Sequence, residues 1–344
     1  MESIFQIDYS ALKEFLILYG EPEFRANQIW QGIYKNLYSD WDEFTTLSKI
    51  LRLTLNEKFS LNSLIPVHLL DSPDKKTQKL LFHLSDGKPV ESVLMYSGRR
   101  ITLCLSTQSG CSMGCTFCAT GKMGLLRNLT SGEIIEQVIY FKRLLKKNSL
   151  YLTNVVFMGM GEPFHNYENF KNALILLNDP DGLNMGARRF TVSTIGLIPQ
   201  ILRFAEEFPQ VNLAISLHAP SDKIRSSLIP VNKHFPLEEL MTACREYVKL
   251  TNRRISFEYV LIDHVNDDAK QAEELVSLVK GLLCHVNLIP LNSIEESQVL
   301  PSTTNRIQAF YQTLTVAGIP TTIRKSQGTS IKAGCGQLAG KEYS

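Results

Sequence analysis

No stretch of about 18 or more consecutive apolar residues occurs in the chain, so nothing in it is built to cross a lipid bilayer as a helix. Its first ten residues, MESIFQIDYS, lack the basic region and apolar run of a secretory leader. The expectation is a cytoplasmic protein with no membrane partner. Low-complexity tracts and internal repeats are missing too, and 44% hydrophobic with 20% charged residues argues against global disorder. Cysteines number seven, an odd count in a chain with no export signal. That speaks against a disulfide framework and for metal or redox chemistry. A strong charge of either sign is also absent, the formal net being +2. The charge is nonetheless uneven: residues 1–96 carry 10 basic against 13 acidic side chains, and the remainder 26 against 21. That bias is compatible with a polyanionic partner without demanding one.

What is present has a clear order. A chain of 344 residues is two domains' worth, or one large α/β domain with an appendage. Residues 1–75 read as a helical domain, with apolar residues at helical spacing over 10–19, 24–38 and 41–59 and a break at Gly20-Glu-Pro22. Residues 76–96 read as β-rich, with strands over 78–84 and 89–96 and turns at Asp86-Gly87 and Ser97-Gly98. From 97 to 330, strand-like runs fall at 101–106, 154–158, 190–194, 211–217, 255–262, 286–290 and 321–324. Helix-like stretches separate them at 132–146, 169–177, 198–208, 237–250, 268–283 and 305–317. This alternation predicts an α/β fold on a parallel sheet. Six units suit a partial barrel or an open sheet, and periodicity does not choose between them. Residues 331–344 form a C-terminal segment.

The cysteines are not scattered evenly. Cys111-Ser-Met-Gly-Cys115-Thr-Phe-Cys118 follows the first of these strands, and three thiolates within eight residues can ligate one soft metal centre. One reading is a zinc loop, but structural zinc takes four ligands, and the fourth would have to be distant, such as Cys104 or His218. The other is a [4Fe–4S] cubane that keeps one iron free for a small molecule. The C-x3-C-x2-C spacing after the first strand of an alternating α/β chain resembles the signature of the radical S-adenosylmethionine (SAM) superfamily. That resemblance implies that the open iron binds SAM and that the cluster donates the electron that cleaves it.

In parallel α/β folds, ligands collect at the carboxyl ends of the strands. Four such ends carry small or polar residues: Gly159-Met-Gly161-Glu162, Ser193-Thr-Ile-Gly196, Ser216-Leu217-His218 and Asn292. Glu162 is suited to accept from the ammonium group of SAM, and Gly161 to let the backbone approach it. Ser193, Ser216, His218 and Asn292 are suited to its carboxylate and ribose, with Leu217 between two of them. Taken singly, each is an ordinary loop acid or strand-end cap. Four equivalent strand ends after a cluster motif favour a ligand site. Cys335 lies between Gly334 and Gly336 on mobile backbone, Cys104 lies on the first strand, and Cys244 and Cys284 read as structural residues of helices.

Longer motifs sharpen the resemblance. Thr102-Leu-Cys104-Leu-Ser-Thr-Gln-Ser-Gly-Cys111, Met158-Gly-Met-Gly-Glu-Pro163, Ser216-Leu-His-Ala219, Glu258-Tyr-Val-Leu-Ile-Asp-His-Val-Asn266-Asp and Cys335-Gly-Gln-Leu-Ala-Gly340 resemble the RlmN/Cfr family of radical SAM RNA methyltransferases. Phe24-Arg-Ala-Asn-Gln28 resembles that family's small N-terminal RNA-contacting domain. The likeness implies a radical SAM core in the form of a partial (βα)6 barrel. It also implies two SAM molecules per turnover, one methylating Cys335 and one cleaved at the cluster. The radical so formed would take hydrogen from the Cys335 methyl group, whose carbon then adds to adenine. Glu91, in Val90-Glu-Ser92, matches the family's proposed proton acceptor. Cys104 would close a transient disulfide with Cys335 and release the product. RlmN-type members act on adenine C2 in 23S rRNA and beside the tRNA anticodon, and Cfr-type members on C8. Gly161-Glu-Pro163, Ile289-Pro-Leu-Asn292 and Arg324-Lys325 look RlmN-like, whereas Ser193-Thr-Ile-Gly196 and Cys115-Thr-Phe-Cys-Ala-Thr-Gly121 look closer to Cfr. The C2 branch is the reading taken here. Such an enzyme needs an electron donor such as flavodoxin or ferredoxin. Arg99, Arg100, Arg127, Arg188, Arg189 and Lys332 are the candidate phosphate contacts.

Overall fold

The structure is a computed structural model and describes residues 1–294 and 299–341. Three helices open the chain: α1 (Tyr9–Leu18), α2 (Phe24–Gln31) and α3 (Lys49–Lys58). The side chains of Asp8 and Ser48 accept from the N–H groups of Ala11 and Leu51 and so start α1 and α3. Each of these two helices buries a pair of leucines one turn apart, Leu12 with Leu16 and Leu51 with Leu55. Trp41 is buried between the helices, and its indole N–H donates to the Phe59 carbonyl at 3.0 Å. Helix α2 does not run on to residue 38. It widens into a π turn over Gly32–Asn36, and Leu37 ends it in the left-handed region at φ 60°.

The stretch expected to be helical up to residue 75 instead yields an edge strand, β1 (Ile65–Asp71). It is followed by β2 (Thr77–His83) and β3 (Pro89–Ser97), and these three are antiparallel neighbours. Strand β3 pairs antiparallel with β4 (Arg100–Leu105), which begins the parallel part. Then come β5 (Asn154–Phe157), β6 (Phe190–Thr194), β7 (Asn212–Ser216), β8 (Ile255–Leu261), β9 (Cys284–Pro290) and β10 (Thr321–Ile323), parallel and in strict chain order. Six helices return the chain between them: α4 (Ser131–Lys146), α5 (Tyr167–Asn178), α6 (Ile198–Glu207), α7 (Leu237–Thr251), α8 (Ala269–Val279) and α9 (Thr304–Val316). Cys284 therefore starts a strand rather than ending a helix.

Along β6 to β9, residues alternate between two environments. Val192, Leu213, Phe257 and Val286 are fully buried in the apolar core, whereas Thr191, Asn212, Ser256 and Asn287 face an interior cavity. Strands β4 and β10 are not hydrogen-bonded to each other, yet Arg100 of β4 and Thr322 of β10 line that same cavity. The sheet is thus curled into a partial barrel with one open side.

Helix α4 ties the helical domain to the barrel. Arg143 donates to the carbonyls of Leu37, Tyr38 and Leu61 and to Asn62. One turn-pair earlier, Glu136 accepts from the N–H groups of Ser63 and Leu64. Among the described residues, no helix is long and apolar enough to cross a membrane.

Candidate active site

A cavity of about 170 Å³ opens at the carboxyl ends of the parallel strands. Cys111, Cys115 and Cys118 form one wall, on the loop after β4. Gly161, Glu162, Ser193, Ser216, His218 and Asn292 come to the other walls from the ends of β5, β6, β7 and β9, and Cys335 comes from the C-terminal loop. The sequence reading placed these ten residues at one site, and the fold brings them together. Leu217 is not on the wall. Its side chain is fully buried in the core, its N–H donates to the Glu258 carbonyl at 3.0 Å and its carbonyl accepts from Arg225.

The polar groups are held in set orientations. Glu162 is buried, and its carboxylate accepts from the N–H groups of Phe164 at 3.0 Å and Ile195 at 2.9 Å. Burial outweighs these donors and lifts its carboxyl to about 7. Gly161 has φ +98°, and a Cβ there would lie 2.5 Å from Cβ of Gln108, whose side-chain oxygen accepts from the Glu162 N–H. Only glycine lets the backbone lie so close. The Ser193 and Ser216 hydroxyls are 3.3 Å apart on adjacent strands. His218 sits at φ 57°, and its Nδ1 accepts from the Val260 N–H at 3.0 Å. The ring proton is therefore on Nε2. Burial, with Arg225 adding to it, lowers His218 to about 3, so this ring is a neutral donor at physiological pH.

The chemistry of the three cysteines bears on what they can hold. Burial pushes all three thiols up, Cys111 to about 12, and the neighbouring thiols add to the effect at Cys111 and Cys115. Three thiolates can share this wall only around a positive core. Among the described residues, no group of three or more His, Cys, Asp or Glu is gathered as around a single metal ion. An iron–sulfur cubane spreads its ligands more widely than one ion does, so three cysteines on one cavity wall that are not gathered as around a single ion suit the cluster better than the zinc loop.

A second cavity of about 240 Å³ adjoins the first, and Cys118, Met158, Arg324 and Cys335 line both. Cys104 faces this second space. Burial, with Cys335 adding to it, pushes the Cys104 thiol up to about 12. Glu91, by contrast, lines neither cavity. It is fully buried between β2 and the C-terminal loop, ion-paired with Lys79 at 2.8 Å.

Three further residues support the site; Glu258 and Asn266 lie in a motif quoted from the sequence but without a role of their own, and Arg225 gave no signal there. Arg225 is fully buried and donates to the carbonyls of Ile195, Ser216 and Leu217 and to Asn232, bracing the ends of β6 and β7. Asn266 donates to the carbonyls of His218 and Val260 and accepts from the Ile262 N–H. Glu258 faces the first cavity between Asn287 at 2.8 Å and Arg324 at 3.1 Å. An arginine in a short polar helix reads as surface; only its spacing before the buried Leu228 hinted otherwise.

The candidate phosphate contacts divide. Arg127 is engaged by Asp86 and Glu133 at 2.8 and 2.7 Å and works as a structural clamp. Arg100 and Arg188, together with Arg253 and Arg254, line the polar cavity at the amino-terminal ends of the strands. Lys332 lies on the C-terminal loop, and Arg99 and Arg189 are exposed. In the helical domain, Arg25 is spent on Gln28 and the Thr46 carbonyl, whereas Phe24 and Asn27 stay exposed.

Comparison with known proteins accounts for this arrangement. The radical SAM superfamily model matches residues 105–276, and the model of the ribosomal RNA large subunit methyltransferase N-terminal domain matches residues 3–61. A probable dual-specificity RNA methyltransferase RlmN from Geobacillus kaustophilus is 45% identical over 342 residues, covering 99% of this chain and 93% of the relative. Its namesake from Chloroflexus aurantiacus is 47% identical over 350 residues, covering 98% and 93%. A crystal structure of a radical SAM methyltransferase from Sphaerobacter thermophilus matches with a TM-score of 0.97 at 48% identity, covering 99% of this chain and 100% of that one. The matched regions take in the helical domain as well as the barrel, so the likeness is one of whole proteins, and the chain belongs to the RlmN family of the radical SAM superfamily.

Proposed function

We propose that this protein transfers methyl groups from SAM to C2 of an adenosine in 23S rRNA, and to an adenosine beside the tRNA anticodon. One observation supports this reading most strongly: Cys335, exposed on its loop, opens on both the cavity of the three cysteines and the cavity of Cys104. A single thiol is thereby within reach of a SAM site, a resolving thiol and an outside base.

Radical SAM membership implies a [4Fe–4S] cluster and SAM. Cys111, Cys115 and Cys118 would hold the cluster, which when bound supplies the electron that splits SAM. A carbon radical route is needed because an aromatic C–H carbon is a poor nucleophile toward a sulfonium methyl. Glu162 would accept from the SAM ammonium group, His218 would donate through Nε2, and Ser193, Ser216 and Asn292 would complete the set around its polar groups. Asn292 also donates to the Cys335 carbonyl at 3.1 Å, linking the SAM site to the loop that takes the methyl group. Cys335 accepts the first methyl group and presents it, so that proximity replaces a bimolecular encounter. Cys104, a neutral thiol at rest, becomes competent to resolve the adduct once it loses its proton. Two SAM molecules would be used per turnover, with flavodoxin or ferredoxin supplying electrons in the cytoplasm. RNA recognition would depend on an unstacked adenosine turned into the cavity.

The test is anaerobic turnover of reconstituted protein with methyl-deuterated SAM and an unmodified ribosomal RNA fragment, read by mass spectrometry of nucleosides. Labelled 2-methyladenosine is the expected product. 8-Methyladenosine would keep the chemistry but move the protein to the Cfr-type branch. Release of 5′-deoxyadenosine without any methylated adenosine would defeat the RNA assignment.

A further inference from the structure

We propose that the buried ion pair of Lys79 and Glu91 is a latch for the loop that carries Cys335. Both would then be positioning residues that act through this loop and not by touching the adenine. The proposal rests on the reading of Cys335 as methyl carrier.

Lys79 on β2 and Glu91 on β3 sit diagonally across an antiparallel pair, since Lys79 faces Val93 and Leu81 faces Glu91 in the register. Their side chains are 2% and 0% exposed. Burying two charges is costly, and an apolar pair would fill the same sheet positions without that cost. An apolar pair could not bind main-chain groups, and these charges do. Lys79 Nζ donates to the Lys332 carbonyl at 3.3 Å. Glu91 Oε2 accepts from the N–H groups of Ala339 at 2.8 Å and Gly340 at 3.0 Å. The pair thus grips the chain on both sides of Cys335. The grips also place the loop across the open side of the barrel, where Ala119 N–H donates to the Gly336 carbonyl at 2.8 Å and Thr120 to the Leu338 carbonyl at 2.6 Å. With Oε2 accepting from the loop, Oε1 ion-paired with Lys79 and no exposure to either cavity, Glu91 is placed to fix the loop.

The experiment uses the full-length reconstituted protein without RNA, measuring hydrogen exchange at the Ala339 and Gly340 amides and the rate of Cys335 alkylation by iodoacetamide. Lys79→Met and Glu91→Ala should each speed both on the order of 100-fold, because each removes one grip on the loop main chain, while β8 amides exchange as in the parent protein. Glu91→Gln keeps an acceptor oxygen and should keep the loop closed. If the sheet variants do not fold, Ala339→Pro removes one grip from the loop side and should produce the same loosening. Parental exchange and alkylation in these loosening variants would overturn the latch. In a separate incubation with SAM and RNA, a closed Glu91→Gln loop that accumulates a covalent RNA–Cys335 adduct would overturn the claim that Glu91 acts by positioning alone, because that outcome makes Glu91 the proton acceptor. Neither loop measurement needs RNA. A parent protein that fails to methylate RNA therefore removes the functional reading and leaves the latch to be judged on its own readouts.

Discussion

Arg225 shows how much of the site depends on a side chain that never meets the ligand. Its guanidinium is fully buried and surrounded by oxygen acceptors from the ends of β6 and β7 and from Asn232. A lysine keeps the charge but not the planar fork. Arg225→Lys should cost about 2–3 kcal/mol by urea unfolding and weaken SAM binding in calorimetry, because Ser216 and Ile195 shift with the strand ends. His218 gives a prediction of a different kind. Its folded value, about 3, lies below its ordinary 6.5. The unfolded chain therefore takes up a proton first on acidification, and the stability contributed by His218 is present above pH 6.5 and lost as pH falls toward 3. The slope from this one group is about 1.4 kcal/mol per pH unit. His218→Asn, chosen because asparagine tolerates the left-handed backbone, should flatten that part of the urea-midpoint profile. An unchanged profile would mean that His218 titrates alike in the folded and unfolded chain.

At the scale of elements, α4 is both barrel helix and domain anchor. Arg143→Ala removes donors to three carbonyls and to Asn62, and should loosen residues 37–62 by about 2 kcal/mol without disturbing α7 or α8. Peptide-level hydrogen exchange reads this directly, and uniform loosening of the whole chain would contradict it. Which elements were legible from sequence has the same physical origin. Helices α4 to α9 and strands β4 to β10 were recognisable because each buries one face, so its apolar residues recur with a fixed period. Strand β1 was not, because it is an edge strand exposed along nearly its whole length and carries no alternation. The cluster cysteines and strand-end residues were readable as a local motif and as equivalent positions in repeated units. Arg225 and Lys79 were not, since their roles come from partners far away in sequence or from backbone groups that no side-chain pattern records.

For the molecule as a whole, charge is the property that an RNA partner would sense. The excess of basic residues lies beyond residue 96, and Arg100, Arg188, Arg253 and Arg254 line one polar cavity of about 690 Å³. With about four phosphate contacts, doubling the salt concentration should weaken RNA binding roughly tenfold in a filter assay. Arg127→Gln should leave that salt slope as it is, because Asp86 and Glu133 already occupy the guanidinium. The latch also has a bearing on how the chain folds. The partners gripping Cys335 are 248 to 253 residues apart, among the widest separations in the molecule. Contacts of such high order form late, after the intervening loop has been shortened by the structure within it. Every strand of the barrel lies between the two halves of the latch, so the methyl-carrying thiol is seated only when the barrel that surrounds it has already formed.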